Sequence, residues 1–569
     1  MLKIAFMGLV RSPLRRRMGA AGLSSEVIKT LEKGRTREPQ ADSEADGEPR
    51  VNMNEQLLIN HAAFQMDRKP LEVPTIVGDE QMYTMDNQRL SCPHDLKQTV
   101  AQIYYANRCQ IESAIKTALK AQATWSLVTV ADRLTIWRHA ADIIEADEFR
   151  MRMYLMLAQG KTSVDAEKDI RRLVTSIRAN SDYLKHLSQL RFEIQGEGRV
   201  FPSLNLRPMD GFVAAIAPFE SVALSANLAL CPMLMGNAVL WNPVLEVAPI
   251  SYLVYLAFKE AGLPKGVLNF VPSNKKLFLD TITDAVHFAG VNCHGSVQDY
   301  RYIHKLVSDK MPRYICFPRL VAESAGQNFH FVHSSAKMEA VCSATVEAAF
   351  NYAGQYANSL SRMYVPSSMW TELREQLIEA VKRFRVGDPT QKDTRMGPVI
   401  NRAAYERMRK LMESNKDAQF LCGGTCNDKI GYFVEPTIVR TMNPLDPLLS
   451  EPLAGPLLPI FVYADDSFAE ALNLAAHQSK HALSGSVFAT RDEVISHCLN
   501  QLRMAASNLY VNERCTGSSG GLTPFGGNRL SGTNDKSGSA YFLMRWSSPL
   551  LVEETVDSPV AAPTGWKVA

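Results

Sequence analysis

Apolar residues recur at intervals of three and four along residues 110–125, 131–144 and 166–187, the spacing that lines one face of a helix. Each stretch is long enough for several turns and is predicted as an amphipathic helix. Farther along, the pattern changes to short, unbroken apolar runs at 211–217, 238–241, 267–271 and 285–289, which read as strands buried on both faces. Helix-length segments separate them. One of these, 249–261, stops at Gly262-Leu263-Pro264, with glycine at the helix end and a proline that cannot continue it. Alternation of this kind predicts an α/β fold with a parallel sheet covered by helices on both faces. A second α/β region runs from about 329 to 509, with strands predicted at 362–365, 457–463 and 484–489. Residues 191–206 and 545–555 alternate polar and apolar without a helix beside them, and are expected to pair with another chain or subdomain.

One stretch tests the soluble reading. Residues 221–244 carry no charge, but Asn227, Pro232, Gly236, Asn237, Asn242 and Pro243 interrupt them. A buried helix, a turn at Gly236-Asn237 and a short core strand at 238–241 fit better than a membrane span.

The chain has 569 residues, 46% hydrophobic and 21% charged, with a net charge of +3. That length holds two or three cores, and the charge is too small to point to nucleic acid or a membrane surface. The ten cysteines lack the dense spacing of a secreted disulfide framework and are expected as reduced, mostly buried thiols. Cys422 and Cys426 are close together but have no partner ligands at suitable spacing, so no metal is expected. Residues 1–25 contain Lys3, Arg11, Arg15, Arg16 and Arg17 with no acidic residue, the pattern of a mitochondrial transit peptide. Residues 37–50, rich in Pro, Glu and Asp, cannot bury enough surface to fold and are read as part of a linker spanning 26–53.

Candidate chemistry enters at Phe350-Asn351-Tyr352-Ala353-Gly354-Gln355-Tyr356-Ala357. No G-x-G-x-x-G follows any predicted strand. Instead Phe288-Ala289-Gly290-Val291-Asn292-Cys293-His294-Gly295-Ser296 reads as a strand passing through glycine into a helix, whose first N–H groups are able to hold a phosphate. Further long segments are Asp210 to Phe219, Cys316 to His333, Val386 to Pro389, Gly431 to Val439 and Thr523 to Gly538. Together these resemble the aldehyde dehydrogenase superfamily, and within it the Δ1-pyrroline-5-carboxylate dehydrogenase branch, over roughly 77–554.

That resemblance implies an aldehyde dehydrogenase fold. Residues 54–190 and 209–316 would form an NAD-binding-type domain, 317–539 a catalytic-type domain, and 191–208 with 540–569 a β extension for oligomerisation. It implies a mitochondrial matrix enzyme that oxidises glutamate semialdehyde with NAD. A cysteine thiolate would attack the aldehyde, an oxyanion hole would hold the adduct and a glutamate would activate water. Glu323 matches that glutamate. Ala357 stands at the nucleophile and Glu220 at the oxyanion asparagine. At the cofactor, Gly295, Ser296 and Val297 match the phosphate turn and His294 replaces a small threonine beside it. Asn242 replaces a lysine, and Pro452 and Ala454 replace the ribose glutamate and the nicotinamide-packing phenylalanine. At the substrate end Gly517, Ser518 and Phe525 match the carboxylate loop and pocket wall, while Tyr356 and Ser221 replace a lysine and a phenylalanine. Cys515 in the same loop is a conceivable displaced thiol.

Two readings follow. In the first, the chain has lost dehydrogenase activity, binds NAD weakly or not at all, and serves to bind a small carboxylate or aldehyde or to assemble as a homodimer or with an active relative. In the second, it remains an enzyme, oxidising aldehydes by an unusual route or hydrolysing with Glu323 as base.

Overall fold

Two seven-stranded sheets organise the chain, seen in a computed structural model that describes residues 69–189, 192–193, 200–201, 205–415, 418–517 and 523–550. The first runs in the order Arg319–Glu323, Phe288–His294, Phe212–Ala217, Val239–Pro243, Leu268–Phe270, Thr75–Val77, Glu80–Met82. Its first five strands are parallel and its last two pair antiparallel. The second sheet runs Gln419–Cys422, Thr437–Thr441, Leu457–Tyr463, Leu360–Pro366, Asn328–Val332, Ser484–Phe488, Asn508–Val511, and all but its first strand are parallel.

The periodic segments form helices close to their expected bounds, at Arg108–Trp125, Val130–Ala146 and Ser163–Gln189. Asn107 starts the first one early. Its side chain accepts from the Gln110 N–H while the Gln110 side chain accepts from the Asn107 N–H, a reciprocal cap that satisfies two otherwise unpaired donors. The charge-free segment is the helix Val222–Leu234, buried at every position but Leu224 and closed by Gly236 at φ +95° before the strand Val239–Pro243. Among the described residues no helix is long and apolar enough to cross a membrane.

Three expectations need correction. The strand expected at 285–289 lies at Phe288–His294, because the helix Lys275–Asp284 continues to 284 and residues 285–287 make the turn. The first sheet extends past residue 316, taking Arg319–Glu323 as its edge. The two extensions also meet each other, Asn205–Arg207 pairing antiparallel with Ser548–Leu550. The basic segment 1–25, the linker 26–53, and most of 191–204 and 551–569 lie outside the described residues.

At the centre, Lys161 and Asp169 form a fully buried ion pair. Asp169 sits on the long helix Ser163–Gln189, and its carboxylate also accepts from Ser221 Oγ at 2.5 Å and the Val222 N–H at 3.0 Å. It thereby caps the helix Val222–Leu234, where unpaired N–H groups and the positive end of the dipole favour an anion. Burial pushes this carboxyl up, but Lys161 and the donors from Ser221 and Val222 outweigh burial and hold it below its ordinary value. The Lys161 ammonium lies 4.9 Å from the ring centre of Tyr352 and 5.8 Å from that of Tyr356, within cation–π range. Lys161→Met leaves Asp169 charged and buried without its partner, and is expected to lower stability by about 3–5 kcal/mol. The measurement is the chemical denaturation midpoint, and a midpoint equal to wild type would refute the assignment.

Candidate active site

Parallel sheets leave a crevice at the carboxyl ends of their strands, and ligands of open α/β folds bind there. His294 ends the strand Phe288–His294, Glu323 ends Arg319–Glu323, and the two residues are direct register partners. Glu220 follows Phe212–Ala217 across a short loop, immediately before Ser221 and the helix that Asp169 caps. Three chain segments far apart in sequence therefore bring two carboxyls and an imidazole to one edge.

The fourth segment crosses from the second half of the chain. After the helix Met338–Phe350, residues Tyr352, Ala353 and Gly354 take φ of 51°, 53° and 65°. This left-handed run is costly for the two non-glycine residues. A side chain at Gly354 would meet Gly455 O at 2.5 Å, so only glycine fits. The run turns the backbone to deliver Ala357. Its carbonyl accepts from the Gly326 N–H at 3.0 Å and Asn328 Nδ2 at 2.9 Å, and its N–H donates to Glu220 Oε2 at 2.8 Å. The alanine methyl has no lone pair to attack anything, and the N–H beside it is already taken by a side chain.

A cleft of about 130 Å³ connects these residues; Tyr356, Phe525 and Arg172 also line it. Its electrostatics are unusual. Burial pushes the Glu220 carboxyl up to about 8 despite the Ala357 N–H, with Glu323 adding repulsion. Burial likewise pushes Glu323 up to about 7, with Asp535 adding to it. Burial pushes His294 down to about 4, so the imidazole is neutral near pH 7. Its Nε2 lies 3.6 Å from Glu220 Oε1 and its Nδ1 3.9 Å from Glu323 Oε2. Both gaps exceed hydrogen-bond length, and Nδ1 is buried with no hydrogen-bond partner.

The residues matched to a dinucleotide do not make a good fit for one. Ser296 caps the helix Val297–Lys310, but Asp299 accepts from both its N–H and its hydroxyl. A carboxylate thus stands at the helix start where the resemblance places phosphate, although Lys275 pairs with it at 2.9 Å. The Gly295 N–H is spent on Glu323 O. Asn242 is buried and donates to Ser273 Oγ at 3.2 Å, giving no cation. Pro452 offers no carboxylate, and Ala454, at φ 47°, contributes its carbonyl to Arg407 rather than an aromatic face.

At the other end, Phe525 is held by its N–H to Ser537 O at 2.8 Å, and the Gly517 N–H donates to Arg514 O. Ser518 lies outside the described residues. Ser221 is occupied by Asp169. Cys515 is fully buried, and burial raises its thiol far above the ordinary range. Its neighbour His330 is engaged on both nitrogens, by Thr345 Oγ1 and the Cys515 N–H, so it is no activator of that thiol. Sequence reasoning missed Asp299, Arg172 and the Lys161–Asp169 pair, none of which carries a local motif.

Residues 83–549 match the aldehyde dehydrogenase family model, so the chain belongs to the aldehyde dehydrogenase family. Within that family it is similar to mitochondrial Δ1-pyrroline-5-carboxylate dehydrogenases. It is 40% identical to the Homo sapiens protein over 492 residues, covering 85% of this chain and 86% of that one. It is 37% identical to the Bos taurus protein over 557 residues, covering 96% of each. The structure of the Mycobacterium tuberculosis Δ-pyrroline-5-carboxylate dehydrogenase bound with NAD superposes with a TM-score of 0.85 at 29% identity, covering 93% of this chain and 98% of that one.

The buried acid pair sets a pH dependence. Glu220 and Glu323 bind protons more tightly folded than unfolded, so the folded chain holds extra protons between about pH 4.5 and 8 and stability falls as pH rises through that window. Neutral His294 acts below about pH 6.5, where folding loses stability as pH falls. The wild-type urea midpoint is expected to fall between about pH 6.5 and 9, and Glu220→Gln to flatten the decline. Equal slopes for both proteins would contradict a protonated Glu220.

Proposed function

We propose that this chain is a Δ1-pyrroline-5-carboxylate dehydrogenase relative that no longer oxidises aldehydes, and that it binds a small molecule or assembles with itself or an active relative in the mitochondrial matrix. The observation that carries this reading is the Glu220 carboxyl on the Ala357 N–H. In the family role Ala357 would stand at the nucleophile and Glu220 at the asparagine that donates to the oxyanion. Loss of a nucleophile costs roughly six orders of magnitude in a serine protease. Losing one oxyanion donor costs about 3–4 kcal/mol, and here a carboxyl that takes up the Ala357 N–H stands where the resemblance places that donor.

Weak NAD binding is part of the same reading, supported by Asn242, Asp299, Pro452 and Ala454. The domain assignment, with 54–190 and 209–316 as the dinucleotide-type part and 317–539 as the catalytic-type part, is retained as a proposal apart from the strand Arg319–Glu323, which joins the first sheet. So is oligomerisation through 191–208 and 540–569, supported by the pairing of Asn205–Arg207 with Ser548–Leu550. Residues 1–25 as a transit peptide are supported by the mitochondrial names of the relatives.

A second reading, Glu323-dependent hydrolysis, is supported by the Glu323 carboxyl lying at about 7, near the value suited to a general base. It leaves the Ala357 N–H, taken by Glu220, unavailable to a developing oxyanion.

Purified protein with NAD and glutamate semialdehyde is expected to form no NADH above the enzyme-free blank; steady turnover abolished by Glu323→Gln would overturn the reading. Hydrolysis of a short ester, also abolished by Glu323→Gln, would establish the second. Fractionated cells expressing the full chain are expected to hold it with mitochondria, and to lose that location when residues 1–25 are deleted. An unchanged distribution would reject the transit peptide.

A further inference from the structure

The end of the cleft that suits an oxygen anion in a working dehydrogenase has been rebuilt for the opposite charge. Three acceptors converge there: Glu220, Glu323 and the buried Nδ1 of neutral His294, which has no partner. The charged groups around them are engaged elsewhere. Lys161 pairs with Asp169. Lys536 donates to Ser507 O at 2.9 Å and Asn508 Oδ1 at 3.1 Å, and Asp535 pairs with Arg545 at 2.7 Å. Among the described residues the Ala357 N–H is the one backbone donor to Glu220. The 3.9 Å gap between His294 Nδ1 and Glu323 Oε2 is wide for a hydrogen bond but is bridged by one donor nitrogen at about 2.8–3.0 Å from each. An ammonium is that donor: a compact cation with three N–H groups and no acceptor.

Arg172 supplies the second anchor. It lines both this cleft and a smaller cavity shared with Asp165, Lys168, Glu347, Tyr356 and Arg514. Among the described residues it has no hydrogen-bond or ion-pair partner, whereas Arg514 is paired with Glu347 and Asp165 accepts from Thr162 Oγ1 at 2.8 Å. The smaller cavity touches Arg172 and Tyr356 but not Glu220, His294 or Glu323, so the guanidinium stands at the end of the cleft away from the acid pair. A guanidinium fork suits a carboxylate.

We propose that the cleft binds a short aliphatic ω-amino acid, with its primary ammonium held between His294 Nδ1 and Glu323 and its carboxylate by Arg172. A metal ion is a poorer fit, because the two imidazole nitrogens face different carboxyls and no single point is shared by both. The cation stabilises the ionised form of Glu323, so its binding releases protons near neutral pH and tightens as pH rises. This inference rests on the proposed loss of aldehyde chemistry, since an ammonium held at this end excludes an aldehyde from it.

Calorimetric titration of the full chain with 5-aminopentanoate, pentanoate, pentylamine and glutarate separates the possibilities. The expected result is 5-aminopentanoate binding at least about tenfold tighter than the other three, with proton release seen as a heat that depends on the buffer. Glu323→Gln is expected to weaken it about tenfold or more and to reduce the proton release. Arg172→Gln is expected to weaken 5-aminopentanoate but not pentylamine, and this surface-lining variant keeps the readout if Glu323→Gln folds poorly. Equal affinity for glutarate and 5-aminopentanoate, or no saturation by about 10 mM, would overturn the proposal. NADH formation is scored separately: turnover with silent titrations would sink both ideas, whereas no turnover with silent titrations would sink only this one.

Discussion

Burying Lys161 against Asp169 is the constraint on which the site geometry depends. Two charges removed from water cost several kcal/mol each unless they meet partners of good geometry, and here the partners are the site's own walls. Asp169 fixes Ser221 and the start of the helix Val222–Leu234, so Glu220, one residue earlier, has little freedom to move. Lys161 packs under Tyr352 and Tyr356, on the segment that ends in Ala357. One ion pair therefore sets both sides of the contact between Glu220 and the Ala357 N–H.

Around that contact the substitutions are mutually consistent. With a thiolate at 357, a buried carboxyl at 220 would add a like charge in a low-dielectric site. With a methyl group there, the carboxyl has only the N–H to meet. Under the proposed reading, neutral His294 belongs to the same change, standing where the resemblance places a small residue beside the cofactor. Glu220 stays protonated near neutrality because burial outweighs its Ala357 donor, and burial with Asp535 raises Glu323 to about 7.

Much of this was legible in the sequence. Helical periodicity located Arg108–Trp125 and Ser163–Gln189 because their buried faces are wide, and the runs around 212 and 239 were legible because parallel strands are apolar on both sides. The strand at Phe288–His294 was placed early because residues 285–287 are apolar enough to imitate one. Family motifs marked Glu220, Glu323 and Ala357. They did not reveal that Glu220 reaches Ala357 across 137 residues, or that parallel register sets His294 beside Glu323. Those facts belong to the topology. Asp299 and Arg172 lie on ordinary amphipathic helices, where a charged residue is the expected occupant of a polar face.

The tethered carboxyl of Glu220 can also be viewed as a ligand whose concentration never falls. A group held beside its partner by a rigid scaffold acts at an effective concentration above that of freely diffusing rivals. Any carbonyl compound that enters must displace this resident acceptor before it gains the Ala357 N–H. The consequence is a threshold: a carbonyl compound gains the Ala357 N–H only when its other contacts, or its concentration, outweigh that resident carboxyl.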